Sequence, residues 1–181
     1  KLYAWMTPMF LQEEETACNQ LTALGYDPAQ IGMVILSHFH GDHIAGLKDF
    51  PNARIVCSTS ALEQATSVKG WAAVNKGILP DLLPLDLIQR AQTIDDHGLG
   101  KLTDEHKAYD LWGDGSIHLF ALPGHGRGQM GALIQTPDGS VFLAADAAWQ
   151  LQAWQAGTLP RSIVRLFFDD WLAYRQTFDE L

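Results

Sequence analysis

Cysteine is scarce: Cys18 and Cys57 are the only two in 181 residues, and they stand far apart. With no CxxC pair, a thiolate redox motif and a sulfur-ligated zinc site are excluded, and both read as core thiols. No run of 18 apolar residues occurs, so no spanning helix, and hence no membrane partner, is expected. Positive charge is also in short supply, with 12 Lys and Arg against 21 Asp and Glu and a formal charge of −9. Nucleic-acid binding draws most of its affinity from neutralised phosphates, so this balance argues against a nucleic-acid partner. Internal repeats and low-complexity tracts are missing, and 47% hydrophobic with 18% charged content excludes disorder. A chain of this length buries about 70% of its unfolded surface, enough for one domain over residues 1–181 without disulfides. No leader peptide is visible, which points to the cytoplasm. The chain opens Lys1-Leu2-Tyr3-Ala4 rather than with Met, so its natural start is expected upstream.

What is present falls into short elements. Residues 12–24 have helical spacing, with Glu13, Glu14 and Glu15 suited to the first turn, Ala17, Leu21 and Leu24 on one face, and Gly25 as C-cap. Asp27-Pro28 starts a short turn. Met33-Val34-Ile35-Leu36 is an apolar run of buried-strand type, and a helix is expected from Ile44. Residues 54–57 read as a second strand, and Ser60-Ala61-Leu62-Glu63 has capping-box spacing for a helix. Residues of about 67–110 carry Pro80, Pro84, Gly98 and Gly100 among leucines and read as a helical insertion or lid. Strands are then expected at 116–122, 131–135 and 141–144, the last two flanking the hairpin signal Thr136-Pro137-Asp138-Gly139. Residues 161–181 read as helix.

Histidine, by contrast, is concentrated. Three of the seven, with one aspartate, lie in Ser37-His38-Phe39-His40-Gly41-Asp42-His43, directly after an apolar strand. Strand ends present ligands on loops that the sheet holds rigid. Imidazole and carboxylate suit zinc, iron or manganese. An extended His-x-His places His38 and His40 on one side of the chain, and Asp42-His43 faces onward to a neighbouring ion. A catalytic zinc takes three protein ligands and one open position, so a distant third ligand is required. His125, between Gly124 and Gly126 at a strand end, is the candidate, and Asp146 at the next strand end is a carboxylate able to bridge. Taken alone, His125 is a turn histidine and Asp146 a helix N-cap; the first cluster raises both to ligands. His97, His106 and His118 read as ordinary.

The segment Ser37 to His43 resembles the His-x-His-x-Asp-His signature of the metallo-β-lactamase superfamily. Leu122-Pro123-Gly124-His125-Gly126 and Leu143-Ala144-Ala145-Asp146 resemble its next two motifs, in order, and the likeness runs from about Leu11 to Asp146. It implies a mixed α/β (α+β) fold, the αββα four-layer sandwich, incomplete here at both ends. The family's late-strand histidine ligand has no counterpart, because no histidine follows His125. The resemblance also implies His38, His40 and His125 on one metal, Asp42 and His43 on a second, and Asp146 bridging two zinc ions, with iron or manganese as alternatives. Leu21 to Pro28 is similar to the N-acyl homoserine lactonase branch. Two departures stand out: Gln129 where relatives often carry a further histidine, and Ala147-Ala148-Trp149 where the lactonases place a tyrosine that helps bind the substrate carbonyl.

The implied activity is dinuclear metal-dependent opening of an ester or lactone, of N-acyl homoserine lactone type, by attack of a metal-bridging hydroxide. Asp42 would carry the proton to the leaving group. The implied partner is a small-molecule ester or lactone, and no oligomeric state follows from the sequence. Thioester hydrolysis of the glyoxalase II kind is the nearest enzymatic alternative. A metal-binding, non-catalytic relative is an alternative from another class, favoured by the missing late histidine. Trp71, Ile78, Leu79 and Leu82 read as packing of the insertion or as an acyl-chain groove, and Trp149 and Trp154 allow the same two roles.

Overall fold

Short apolar runs with alternating burial build two sheets. The computed structural model describes residues 11–103 and 107–181; Lys1-Leu2-Tyr3-Ala4 and His106 lie outside the described residues. After a first helix, α1 (Ala17–Ala23), strands β1 (Met33–Ile35), β2 (Arg54–Ser58) and β3 (Ala91–Ile94) pair in parallel in the order β1-β2-β3. Parallel neighbours need crossovers. The chain supplies α2 (Gly41–Ile44) between β1 and β2, and α3 (Thr59–Ser67), α4 (Gly70–Asn75) and α5 (Leu87–Arg90) between β2 and β3. The second sheet is an antiparallel meander of β4 (Tyr109–Asp110), β5 (Ile117–Ala121), β6 (Met130–Thr136) and β7 (Gly139–Leu143). Helices α6 (Leu151–Gln155) and α7 (Trp171–Glu180) close the described chain.

The period-two alternation of the strands divides the core. Val34, Ile55 and Cys57 point to the helices and pack with Ala61, Ala65, Ala73 and Leu87. Met33, Ile35, Val56 and Ile94 point the other way, against Leu119, Met130 and Ala132 of the second sheet. A third cluster, Phe168, Tyr174 and Phe178, seats α7. Two sheets with helices outside is the mixed α/β arrangement that the resemblance implies.

Several local expectations are corrected. The helix read over 12–24 is a 3-10 turn at Glu13–Glu15 followed by α1, because the Thr16 side chain accepts from the Asn19 amide and restarts the helix. Ile44 ends α2 rather than opening a helix, and α2 begins inside the histidine motif. The cap of α3 is Ser58, whose Oγ accepts from Ala61 N at 3.2 Å, so β2 runs into the helix before Ser60 is reached. The segment 67–110 is helical only in part: Ala91–Ile94 is a sheet strand, held by four register pairs with β2. The tail is a 3-10 segment (Ser162–Phe167), a break at Phe168, and α7, capped by the Asp170 carboxylate on the amides of Leu172 and Ala173.

Candidate metal centre

Each functional side chain sits just past a strand. Beyond β1, Leu36 N still donates to Val56 O, and Ser37 O accepts from Met130 N at 3.0 Å, so both sheets hold the loop that presents His38. His40 is extended (φ −68°, ψ 152°) and precedes α2, whose Gly41 N donates to Gly77 O at 2.8 Å. His125 lies in the turn after β5. There the amides of Asp170 and Asp169 donate to the carbonyls of Gly124 (2.9 Å) and His125 (3.1 Å). Asp146 follows β7 in the 3-10 turn Ala145–Ala147. Ala145 is the one non-glycine in the left-handed region among the described residues (φ 47°), and such strain clusters at functional sites.

These three segments meet. Asp146 Oδ2 lies 3.0 Å from His125 Nε2, 3.2 Å from His43 Nε2 and 3.6 Å from His38 Nε2. His40 Nδ1 is 2.9 Å from His125 Nε2, and Asp42 Oδ2 is 3.8 Å from His43 Nε2. The donors fall into two groups, His38, His40, His125 and Asp146, and Asp42, His43 and Asp146, so Asp146 belongs to both. Two ligand atoms at about 2.0 Å from a tetrahedral ion are about 3.3 Å apart, and the donor pairs named here stand 2.9 to 3.8 Å apart, on either side of that value.

The electrostatics agree with a cation site. Burial, reinforced by the neighbouring histidines, pushes His38 down to about 2. Burial and His125 bring His40 to about 4. Both rings are therefore neutral, with a lone pair free for an ion, and His38 Nε2 is buried without a hydrogen-bond partner among the described residues. Burial works to raise the Asp146 carboxyl, but hydrogen bonds from His125 and His43 hold it well below the usual carboxylate range. Burial likewise opposes a charge on His43, yet the Asp146 hydrogen bond and the charges of Asp146 and Asp42 raise it above its ordinary value. The residues present fit a divalent ion.

All six residues expected from the sequence are brought together: His38, His40, Asp42, His43, His125 and Asp146. Among the described residues His97 and His118 stand apart, in a turn and on β5. Sequence reasoning passed over Ser37, Phe168 and Gly77. Ser37 Oγ lies 3.1 Å from His38 Nδ1 and 3.5 Å from His43 Nδ1, so one hydroxyl steadies two rings with their Nε2 atoms toward Asp146; a hydroxyl directly before the first histidine was the available signal. Phe168 and Trp149 pack edge-on against His125, with ring centroids 5.0 and 5.9 Å away, and no sequence signal marked Phe168. Gly77 leaves room for the His40 ring, since a Cβ there would meet His40 Cδ2 at 2.8 Å. Gln129 is buried, with neither amide atom bonded among the described residues.

A family model described as the metallo-beta-lactamase superfamily matches residues 4–181. The chain is 32% identical over 155 residues to N-acyl homoserine lactonase AttM of Agrobacterium fabrum, covering 83% of this chain and 54% of that protein. It is 30% identical over 134 residues to gamma-lactamase FDB1 of Fusarium pseudograminearum, covering 68% of this chain and 30% of that one. Its fold is similar to that of a mutant of B. thuringiensis AiiA solved with N-decanoyl-L-homoserine bound at the active site. That match has a TM-score of 0.69 and 22% identity, and covers 93% of this chain and 57% of the other. The chain spans about half the length of the curated lactonase relatives it matches.

Proposed function

Because the chain belongs to the metallo-β-lactamase superfamily, we propose that it acts as a metal-dependent hydrolase opening the lactone ring of N-acyl homoserine lactones. The observation that carries this reading is the single Asp146 oxygen, 3.0–3.6 Å from the Nε2 atoms of three histidines delivered by two separate strand ends. The likeness to AttM supports the substrate class.

In this reading His38, His40 and His125 hold one ion, Asp42 and His43 a second, and Asp146 is shared. Zinc is the first choice, and iron or manganese accept the same ligand chemistry. Divalent ions bound there supply Lewis acidity toward a carbonyl oxygen and lower the pKa of water. The chain's own residues arrange the rest. His38 and His40 present neutral rings, Asp146 supplies the anion, and Ser37 fixes the orientation of His38 and His43. Phe168 and Trp149 keep water from one side of His125, which strengthens the local electrostatics. Asp42 is half exposed at the edge of the cluster. From there its carboxylate accepts the proton released on attack and returns it to the alcohol oxygen leaving the opened ring.

Purified, metal-loaded protein assayed against an acyl homoserine lactone, S-lactoylglutathione and a cephalosporin is expected to turn over the lactone, to stop with a chelator, and to recover with zinc. Turnover of the thioester alone would replace the lactonase reading by the glyoxalase II one. No turnover despite bound metal would make the chain a non-catalytic metal binder. Asp42→Asn is expected to lower kcat by about 100-fold or more while the His38, His40 and His125 group keeps its ion. Full activity in that variant would remove Asp42 from proton transfer.

Metal uptake should depend on pH, since a ligand must shed its proton before binding. His38 and His40 are already neutral above about 2 and 4. His43 is raised above its ordinary value, so near pH 6 it is protonated and an ion must displace that proton. Metal content after dialysis at pH 6 and pH 8 is expected to show one equivalent retained at both and the second only at pH 8. Equal content at both values would contradict the assignment of His43 to the second ion.

A further inference from the structure

Two histidine-bearing loops of the cluster are backed by segments that belong to neither sheet. Behind His40 stands the turn that ends α4. There Gly77 O accepts from Gly41 N at 2.8 Å, and a Cβ on Gly77 would meet Cδ2, Cγ and Nε2 of the His40 ring at 2.8–3.1 Å. Behind His125 stands the stretch before α7. Asp169 N donates to His125 O at 3.1 Å, and the Phe168 ring lies 5.0 Å from the imidazole.

An ion pair ties these two backings together. Lys76 is the C-cap of α4, directly before Gly77, and its Nζ donates to Asp169 Oδ1 at 3.2 Å across 93 positions of sequence. Among the described residues no other hydrogen bond or ion pair joins residues 67–90 to residues 160–181. The contacts close into a circuit, from His40 through Gly77, Lys76 and Asp169 to His125, whose Nε2 returns to His40 Nδ1 at 2.9 Å.

An exposed ion pair adds little to the stability of a fold, so the place of this one matters more than its strength. Two imidazoles that share an ion must stand at ligand spacing, and any freedom they keep beforehand is lost at the expense of binding. Contacts outside a ligand set that fix ring orientation accordingly govern metal affinity. We propose that Lys76 and Asp169 are a positioning pair that holds His40 against His125 and so sets the affinity of the ion those two residues share. Neither side chain stands in the donor groups, so the effect passes through the two loops. The inference rests on the assignment of His40 and His125 to one ion and not on the identity of the substrate.

Lys76→Met keeps most of the stem and removes the charge, and Asp169→Asn keeps the shape. Competition with a chromogenic chelator is expected to show the first zinc equivalent bound about three- to fivefold more weakly in either variant, the most that one exposed pair supplies. The double variant should be no weaker than the single ones, because all three lose the same interaction. Lys76→Arg, which keeps the charge, should bind zinc as the unmodified chain does. At 1 M salt, where the Debye length is about 3 Å, the differences should vanish. Zinc affinity within about 1.5-fold of the unmodified chain in both single variants overturns the proposal, and so does a weakening that high salt leaves intact. The zinc-free proteins should melt within about 4 °C of one another, and a larger drop would make the pair a fold contact and overturn its positioning role. If the unmodified chain takes up no zinc, the metal reading falls and this one with it. If every variant takes up zinc equally well, only the positioning pair falls.

Discussion

Asp146→Ala protein is expected to bind less than one metal equivalent per chain and to lose lactone hydrolysis by more than about 100-fold. Groups that merely orient a metal ligand are worth about 10- to 100-fold, and Asp146 stands in both donor groups, so its loss exceeds that range. Without its carboxylate, four imidazoles with ring centroids 4.1–5.0 Å apart face one another with no anion between them. His43 also loses the hydrogen bond that raises it and returns toward its ordinary value. Asp146→Asn separates shape from charge: it keeps the side-chain volume and should lose metal nearly as fully. Metal analysis together with kcat/KM checks both variants, and wild-type metal content in Asp146→Ala would break the shared-ligand assignment. In chelated protein the same carboxyl, held below its usual range, contributes stability above about pH 4 that is lost as acid protonates it. Asp146→Asn should therefore flatten the acid side of the melting profile.

Gly124→Ala is expected to be the most damaging single-methyl change. Gly124 has φ 125°, a conformation L residues rarely adopt, and a Cβ there would land on the Tyr174 backbone nitrogen and Cα. The backbone of α7 cannot rotate away as a side chain could. Thr177 Oγ1 donates to Pro123 O at 2.8 Å, and Asp170 N donates to Gly124 O, so the helix is fastened at both neighbours of the clash. The expected loss is about 3 kcal/mol or more, a drop of about 6–12 °C in Tm for a domain of this size. Thermal melts check it, and a Tm within about 2 °C of the unmodified protein would contradict this packing. The ion pair between Lys76 and Asp169, at 3.2 Å, lies at the surface and is not expected to compensate.

The candidate site was legible because its signal is local. Three histidines and an aspartate within six residues after an apolar strand need no tertiary information, and each remaining candidate ligand follows a strand beside glycine or small residues. The two sheets were legible wherever alternation or a turn signal was strong, as around Pro137-Asp138-Gly139. β3 was not. Ala91-Gln92-Thr93-Ile94 offers one large apolar side chain, and it becomes a strand only because β2 presents a free edge for four parallel pairs. The start of α3 was misplaced because Ser58 and Ser60 are both good caps, and the length of β2 decides between them. The role of Gly124 was hidden for a different reason. Its partner Tyr174 lies 50 residues away, and nothing in either segment announces the meeting.

The segments that carry the candidate ligands grow from different sheets, His38 and His40 from the parallel one, His125 and Asp146 from the antiparallel one. An ion seated among them would therefore act as a rivet between the two halves of the molecule. Its binding energy would be spent on cohesion as well as chemistry, because the unfolded chain offers no such preformed seat. Resistance to heat would then track the free concentration of the ion, and starvation for metal would loosen the architecture at the same moment that it silenced the reaction.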